Sequence, residues 1–104
     1  MIVKINTDKT LNGEERSADF FTSQINEALE RFESHISRIE VHLKDENGKK
    51  DGFNDISCLL EARLEGRQPI AVTNQANTVD LAVTGAIDKV KSALETIVGK
   101  IQKH

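Results

Sequence analysis

The stretch LEARLEGRQPIAVT, Leu60 to Thr73, decides the fold because its apolar residues alternate on both sides of a glycine-centred break. These apolar positions are Leu60, Ala62 and Leu64 before the break and Ile70 and Val72 after it. Spacing with a period of two predicts two strands joined by a turn. The remaining elements can be arranged as layers packed on this hairpin.

The length of the turn decides which residues of the hairpin face the core. A two-residue turn at Gly66-Arg67 would point the apolar residues of the second strand toward water. An odd loop, Gly66 to Gln68, pairs Leu64 with Ile70 and buries both apolar sets, so we predict the odd loop. Because Pro69 cannot donate a ladder hydrogen bond, we predict that the second strand lies at an edge of its sheet.

The sequence before the hairpin predicts a strand, a helix and two further strands. Ile2 to Thr7 is rich in β-branched residues and predicts the first strand. Glu14 to about Ser34 carries apolar residues three and four positions apart, which predicts a helix, with Asn12 as its cap. Alternation in Ser37 to Lys44 predicts a strand with one buried and one wet face, and Asp55 to Glu65 predicts the strand that enters the hairpin.

Three further expectations concern the first helix, the loop after the second strand and the last helix. The three phenylalanines of the first helix are expected to pack in the core, and Phe53 in the polar loop is expected to fold back onto it. Asn77 or Thr78 is predicted to cap a final helix that runs to about Gln102. Gly85 in that helix would permit close contact with the first helix or the sheet.

The predicted element order is β-α-β-β-β-α. It predicts an α+β two-layer sandwich, in which a four-stranded mixed sheet carries two helices on one face and leaves the other face open. The length of 104 residues predicts a single domain over residues 1–104. The sequence has neither an apolar run long enough to span a membrane nor an N-terminal secretory signal, so we expect a cytoplasmic protein.

The charges divide the chain unevenly and suggest no catalytic centre. Residues 1–65 hold nine Lys/Arg against fourteen Asp/Glu, whereas residues 66–104 hold five against three. The net charge of −3 argues against a general nucleic-acid binder. The sequence has no phosphate loop, nucleophile motif or metal-ligand spacing, so we predict no enzyme, cofactor or metal. The single cysteine, Cys58, falls in step with core positions and is predicted to be a small buried hydrophobe.

Two predicted surfaces remain as candidates for binding. The open face of the sheet carries alternating charges, and Leu59 among them is a candidate protein contact together with Arg38 and His42. The polar side of the last helix and the hairpin turn carry basic residues that are candidate phosphate contacts. They are Lys89, Lys91, Lys100, Lys103 and Arg67. Ordinary helix solubility explains the same lysines equally well.

Three stretches of this sequence carry a resemblance to a known family. They are SRIEVHLKDENG from Ser37, CLLEARLEGRQPIAVTNQANT from Cys58, and the Asp88-Lys89-Val90 step of the last helix. Together they resemble the ribosome hibernation promoting factor family, which includes the ribosome-associated inhibitor also called protein Y. The likeness covers nearly the whole chain, and the middle stretch is especially similar to the short, single-domain members.

The resemblance implies a non-enzymatic factor that binds the small ribosomal subunit through ribosomal RNA and silences idle ribosomes under stress. It implies neither a DNA partner nor a membrane partner. The residues expected to contact ribosomal RNA are Lys89 and Lys91, followed by Arg63, Arg67, Lys100 and Lys103. Long members add a C-terminal dimerising domain; this chain ends at His104, so pairing of ribosomes by that route is not expected.

The chain departs from the family in the last helix. Ser92 to Val98 stands where well-studied members carry a run of Arg and Lys. Losing three or four phosphate contacts would lower the affinity by orders of magnitude at physiological salt. The alternative is a protein-interaction module on the same fold, which uses the open face around Leu59 or the edge strand. Ribosome binding needs the basic residues to converge on one surface, whereas the alternative does not.

Overall fold

The computed structural model describes residues 1–7, 15–45 and 56–102. In chain order the elements are strand β1 (Ile2–Thr7), helix α1 (Glu15–Ala28), a 3₁₀ helix (Glu30–His35), strands β2 (Ile36–Asp45), β3 (Ile56–Leu64) and β4 (Ile70–Ala76), and helix α2 (Val79–Gln102). The predicted order β-α-β-β-β-α is confirmed, and the 3₁₀ helix is an addition to it. The expectations for Asn12 and Phe53 fall outside the described residues.

The four strands form one mixed sheet in the order β1-β2-β3-β4. Strand β1 runs parallel to β2, and the other neighbouring strands are antiparallel. Strand β4 therefore lies at an edge, as Pro69 predicted. Helix α1 packs against β1, and α2 packs against β3 and β4, while the outward residues of the strands form an open face.

The β3–β4 hairpin has the predicted facing but a different register. The apolar residues of both strands face the helices. The odd three-residue loop predicted that Leu64 pairs with Ile70, whereas in the structure Ala62 pairs with Ile70. The turn covers residues 65–69, and Gly66 adopts a left-handed conformation with φ of 69°. A shift of two residues keeps every side chain on its own face. The hydrophobic pattern therefore cannot distinguish these two registers.

A β-bulge at Ser37 adjusts the start of β2. Ile36 pairs with Leu64 and Arg38 pairs with Arg63, so β2 has one extra residue between the two pairs. The Ser37 hydroxyl donates a hydrogen bond to the carbonyl oxygen of Arg63 at 3.1 Å. The bulge keeps Ile36 buried while it turns Arg38 to the open face.

The core lies between the inner face of the sheet and the two helices. Its fully buried side chains include Ile39, Val41 and Leu60 from the sheet and Val83, Val90 and Leu94 from α2. Cys58 is also fully buried and confirms the prediction for its side chain. Burial of each large aliphatic side chain contributes about 1.5–3 kcal/mol to stability.

The first helix ends earlier than the predicted Ser34. Helix α1 stops at Ala28, and the chain continues as the 3₁₀ helix. There the Phe32 amide donates to the Leu29 carbonyl at 2.9 Å, a bond that spans three residues. The tighter winding leaves both Leu29 and Phe32 buried in the core. The apolar spacing fits either winding, so it could not locate the end of α1.

One predicted core phenylalanine lies outside the core. Phe21 is buried, whereas the adjacent Phe20 is 59% exposed and meets the Phe21 ring edge-on, with 5.5 Å between the ring centroids. Consecutive helical residues point about 100° apart, so only one of the two rings can face the sheet.

Helix α2 begins with the predicted cap. The Leu81 amide donates to the Thr78 hydroxyl at 3.2 Å, which identifies Thr78 as the N-cap residue. The predicted close approach at Gly85 is made to the sheet, where Asn74 of β4 lies against it.

Candidate functional site

The open face of the sheet, formed by the outward residues of the four strands, presents a group of charged side chains. Across the strands, Lys4 lies beside Glu40, and Glu40 lies beside Glu61. In the neighbouring row Arg38 lies directly opposite Arg63. Like charges directly opposite each other are destabilising unless other groups compensate them.

Ion pairs along and between the two strands supply that compensation. Arg63 Nε lies 3.1 Å from a carboxylate oxygen of Glu61 and 3.5 Å from one of Glu40. Arg38 Nη2 lies 3.5 Å from the other oxygen of Glu40. Glu40 therefore lies between two guanidinium groups and is 17% exposed, whereas Arg38 and Arg63 are 41% and 56% exposed. The Glu40 carboxylate is therefore mostly buried between the two guanidinium groups, whereas much of both arginine side chains is exposed to solvent.

Leu59 lies in the next row of the open face. It is 38% exposed and has exposed His42 on one side and Thr73 on the other. The predicted protein-contact residues Leu59, Arg38 and His42 thus share the open face, as their alternation along β2 and β3 indicated.

Lys89 and Lys91 of α2 do not form a pair. Lys89 is exposed, and its Nζ donates to the backbone carbonyl of Thr73 in the edge strand β4 at 2.7 Å. Lys91 is half-buried and follows Lys89 by roughly 200° around the helix. It lies on the flank of α2 that faces α1, since Thr84 on that flank accepts a hydrogen bond from Gln24 at 3.2 Å.

Arg67 and Lys100 lie near the opposite end of α2 from its cap. Arg67 is exposed in the β3–β4 turn and lines a shallow, solvent-open depression with Gln68 and Ile97. Ile97 brings the C-terminal part of α2 to this turn, and Lys100 follows about one turn later in the helix. Lys103 lies outside the described residues. The candidates whose side chains the structure describes, Lys89, Lys91, Arg67 and, on the open face, Arg63, therefore occupy separate parts of the molecule.

Lys4 is a charged residue of the open face that the sequence interpretation missed. It is exposed and alternates with the half-buried Val3 and Ile5. The alternation was visible in the sequence. Its significance depends on the parallel pairing of β1 with β2, which places Lys4 beside Glu40.

The described residues offer few groups for chemistry. In residues 1–7, 15–45 and 56–102, no three His, Cys, Asp or Glu residues lie close enough together to hold a metal ion. Burial raises the pKa of the Cys58 thiol to about 12 from an ordinary 9.0, so the thiol stays protonated at neutral pH. Within the same residues, neither helix is long and apolar enough to cross a membrane.

The two-layer fold with an open, charged sheet face is shared with a solved structure. The chain is similar to the crystal structure of the Thermus thermophilus Protein Y N-terminal domain, with a TM-score of 0.74 and 14% sequence identity. The similarity covers 93% of this chain and 99% of that domain, and it shows a common fold. No curated protein matches this sequence.

The sequence also matches a family directly. The family described as sigma 54 modulation protein / S30EA ribosomal protein matches residues 16–102. The chain belongs to this family, which confirms the resemblance found in its three stretches of sequence.

Proposed function

We propose that this protein is a non-enzymatic, cytoplasmic, ribosome-associated factor that binds the small subunit through ribosomal RNA and inhibits translation under stress. The observation that carries the proposal is membership of a ribosomal-protein family over residues 16–102. The fold shared with the protein Y domain supports it, since that fold is present over nearly the whole of both chains.

The test is sedimentation of lysates from growing and starved cells through sucrose gradients at low salt. The proposal expects the protein to travel with small subunits or whole ribosomes, more strongly after starvation. Raising the salt should release it, because phosphate contacts are lost as salt rises. A protein that stays at the top of the gradient from both cultures, even at low salt, would contradict the proposal.

The alternative proposal is a protein-interaction module that uses the open face around Leu59. The observation in its favour is the 38% exposure of this apolar side chain on a face whose other described residues are mostly polar. The alternative could also take the form of self-association through the free edge of β4. The structure disfavours this form, because Pro69 before the strand has no amide hydrogen to donate and the Thr73 carbonyl in the strand already accepts a hydrogen bond from Lys89. Leu59→Ser should remove a protein contact while leaving electrostatic binding to ribosomes intact, and a gradient with this variant distinguishes the two proposals.

A further inference from the structure

The two layers of the molecule differ in the sign of their charge. On the open face, the described side chains include the cations Lys4, Arg38, Lys44 and Arg63 and the carboxylates Glu40 and Glu61. The described side chains of α1, the 3₁₀ helix and α2 carry seven carboxylates against three cations. A polyanion would therefore meet attraction at the sheet and repulsion over the helices.

The ion pairs of the open face hold its guanidinium groups in fixed positions, which favours the binding of an anion. Glu40 contacts Arg38 and Arg63 from between them, so both side chains are held in place before any ligand arrives. Both side chains remain about half exposed, so each guanidinium group can still be reached from solvent, although Arg38 Nε itself is buried and has no hydrogen-bond partner. Guanidinium groups bind phosphate oxygens with short, charge-assisted hydrogen bonds, and a fixed side chain loses less entropy when it does so.

The composition of the open face also specifies how RNA would be contacted. Among the described outward residues there is no Phe, Tyr or Trp, and His42 is the one aromatic ring on which an unstacked base could lie. Recognition of splayed single strands relies on such stacking, whereas folded RNA is contacted through its phosphates and riboses. With a single imidazole ring among its described side chains, the open face fits the backbone of a folded RNA segment better than a series of stacked bases.

We propose that the open face of the sheet, through Lys4, Arg38, Lys44 and Arg63, is the surface that binds the phosphate backbone of ribosomal RNA. This inference rests on the proposed function and relocates the contact from α2, where the family resemblance places it. It also explains how the chain can bind RNA without a basic run in residues 92–98. Lys89 then has a structural role at the edge of β4.

Two matched double variants test the location. One removes two charges from the sheet, Lys4→Gln with Lys44→Gln, and the other removes two from the helix, Lys89→Gln with Lys91→Gln. Each full-length variant is titrated with purified small ribosomal subunits at several salt concentrations. Circular dichroism and thermal melting of both variants confirm that they are folded.

The sheet variant should bind roughly tenfold or more weakly at about 0.1 M salt, and its log–log salt slope should fall by about two, one for each lost phosphate contact. The helix variant should stay within about threefold of the wild type. Equal losses in both variants, or a loss in the helix variant alone, would overturn the sheet location while the proposed function stands. A wild-type protein that does not bind subunits would overturn both.

Discussion

Asn74 of β4 and Gly85 of α2 lie in direct contact, and the absence of a side chain on Gly85 makes room for the Asn74 amide. Asn74 Nδ2 donates to two backbone carbonyls of the first turns of α2, those of Leu81 at 3.3 Å and Ala82 at 3.1 Å. A Cβ built on Gly85 would lie 2.6 Å from Asn74 Cγ. This contact fixes the position of the start of α2 on the edge strand.

Gly85→Ala should destabilise the protein by up to about 2 kcal/mol. The added methyl must displace the Asn74 amide from its two carbonyls, and that loss exceeds the gain of about 1 kcal/mol in helix propensity. Urea denaturation of the variant measures the change. The same substitution made in an Asn74→Ala background should be neutral or stabilising, because the obstructing amide is gone.

The control for Gly85 lies in the same helix. A Cβ built on Gly99 meets nothing within 4 Å. Gly99→Ala should therefore stabilise the protein by about 0.5–1 kcal/mol through helix propensity alone. If both glycine substitutions stabilised the protein, the contact between Asn74 and Gly85 would not contribute to stability.

Thr78→Ala should cost about 1 kcal/mol of unfolding free energy, because it removes the hydroxyl that accepts from the Leu81 amide. Thr96→Ala in the same helix is the matched comparison. Its hydroxyl donates to the Ser92 carbonyl at 3.2 Å, an interaction within the helix that contributes little or slightly destabilises it. Chemical denaturation should show a loss for Thr78→Ala only. Equal losses in the two variants would exclude a capping role for Thr78.

The facing of each strand could be predicted because strand side chains alternate strictly and one face is apolar. Ile39, Val41 and Leu60 were assigned to the core on that basis and are fully buried. The hairpin register was wrong by two residues because such a shift conserves facing. The pattern of apolar residues does not indicate the bulge at Ser37. The bulge is accompanied by a hydrogen bond from the Ser37 hydroxyl to the Arg63 carbonyl, which depends on how β2 and β3 pair.

The candidate site was harder to predict because it depends on which strands are neighbours. The outward position of Arg63 follows from β3 alone, but its pairing with Glu40 requires the β2–β3 register. The separation of Lys89 from Lys91 follows from helical geometry. The hydrogen bond that ties Lys89 to the Thr73 carbonyl could be found only once α2 had been placed against the edge strand.

The buried thiol predicts a pH dependence of stability. Burial raises the pKa of Cys58 to about 12, so above pH 9.0 the unfolded chain loses a proton that the folded chain keeps. The contribution is fully present below the unfolded pKa, and it is lost as the pH rises toward 12. Relative to Cys58→Ala, the wild type should lose about 1.4 kcal/mol of stability per pH unit in this window.

Urea denaturation of the wild type and Cys58→Ala at pH 7, 9 and 10.5 measures this difference. Deprotonation of lysines affects both proteins alike and cancels in the comparison. At pH 7 the wild type should be the more stable, because the alanine leaves a cavity. A stability difference that stays constant up to pH 10.5 would show that the Cys58 thiol ionises as readily in the folded protein as in the unfolded chain.

Glu40→Gln should strengthen binding to ribosomal RNA if the open face is the contact surface. The substitution removes a negative charge from between Arg38 and Arg63, so the open face attracts phosphates more strongly, while the side-chain amide oxygen can still accept from the guanidinium groups and hold them in place. We expect a several-fold rise in affinity for small subunits at low salt, with a stability loss of at most about 1 kcal/mol because both arginines are about half exposed.

Glu95→Gln is the matched control for Glu40→Gln on the helix layer. It removes the same charge and breaks an ion pair with Arg31, whose Nη2 lies 3.1 Å from the Glu95 carboxylate in the wild type. Because α2 lies on the opposite layer from the open face, the affinity for RNA should stay close to that of the wild type. If the affinity for RNA rose equally in both variants, the cause would be the change in net charge and not the position of the carboxylate. If the affinity rose in Glu95→Gln alone, the RNA contact would lie on the helices. A rise confined to Glu40→Gln would locate it on the sheet.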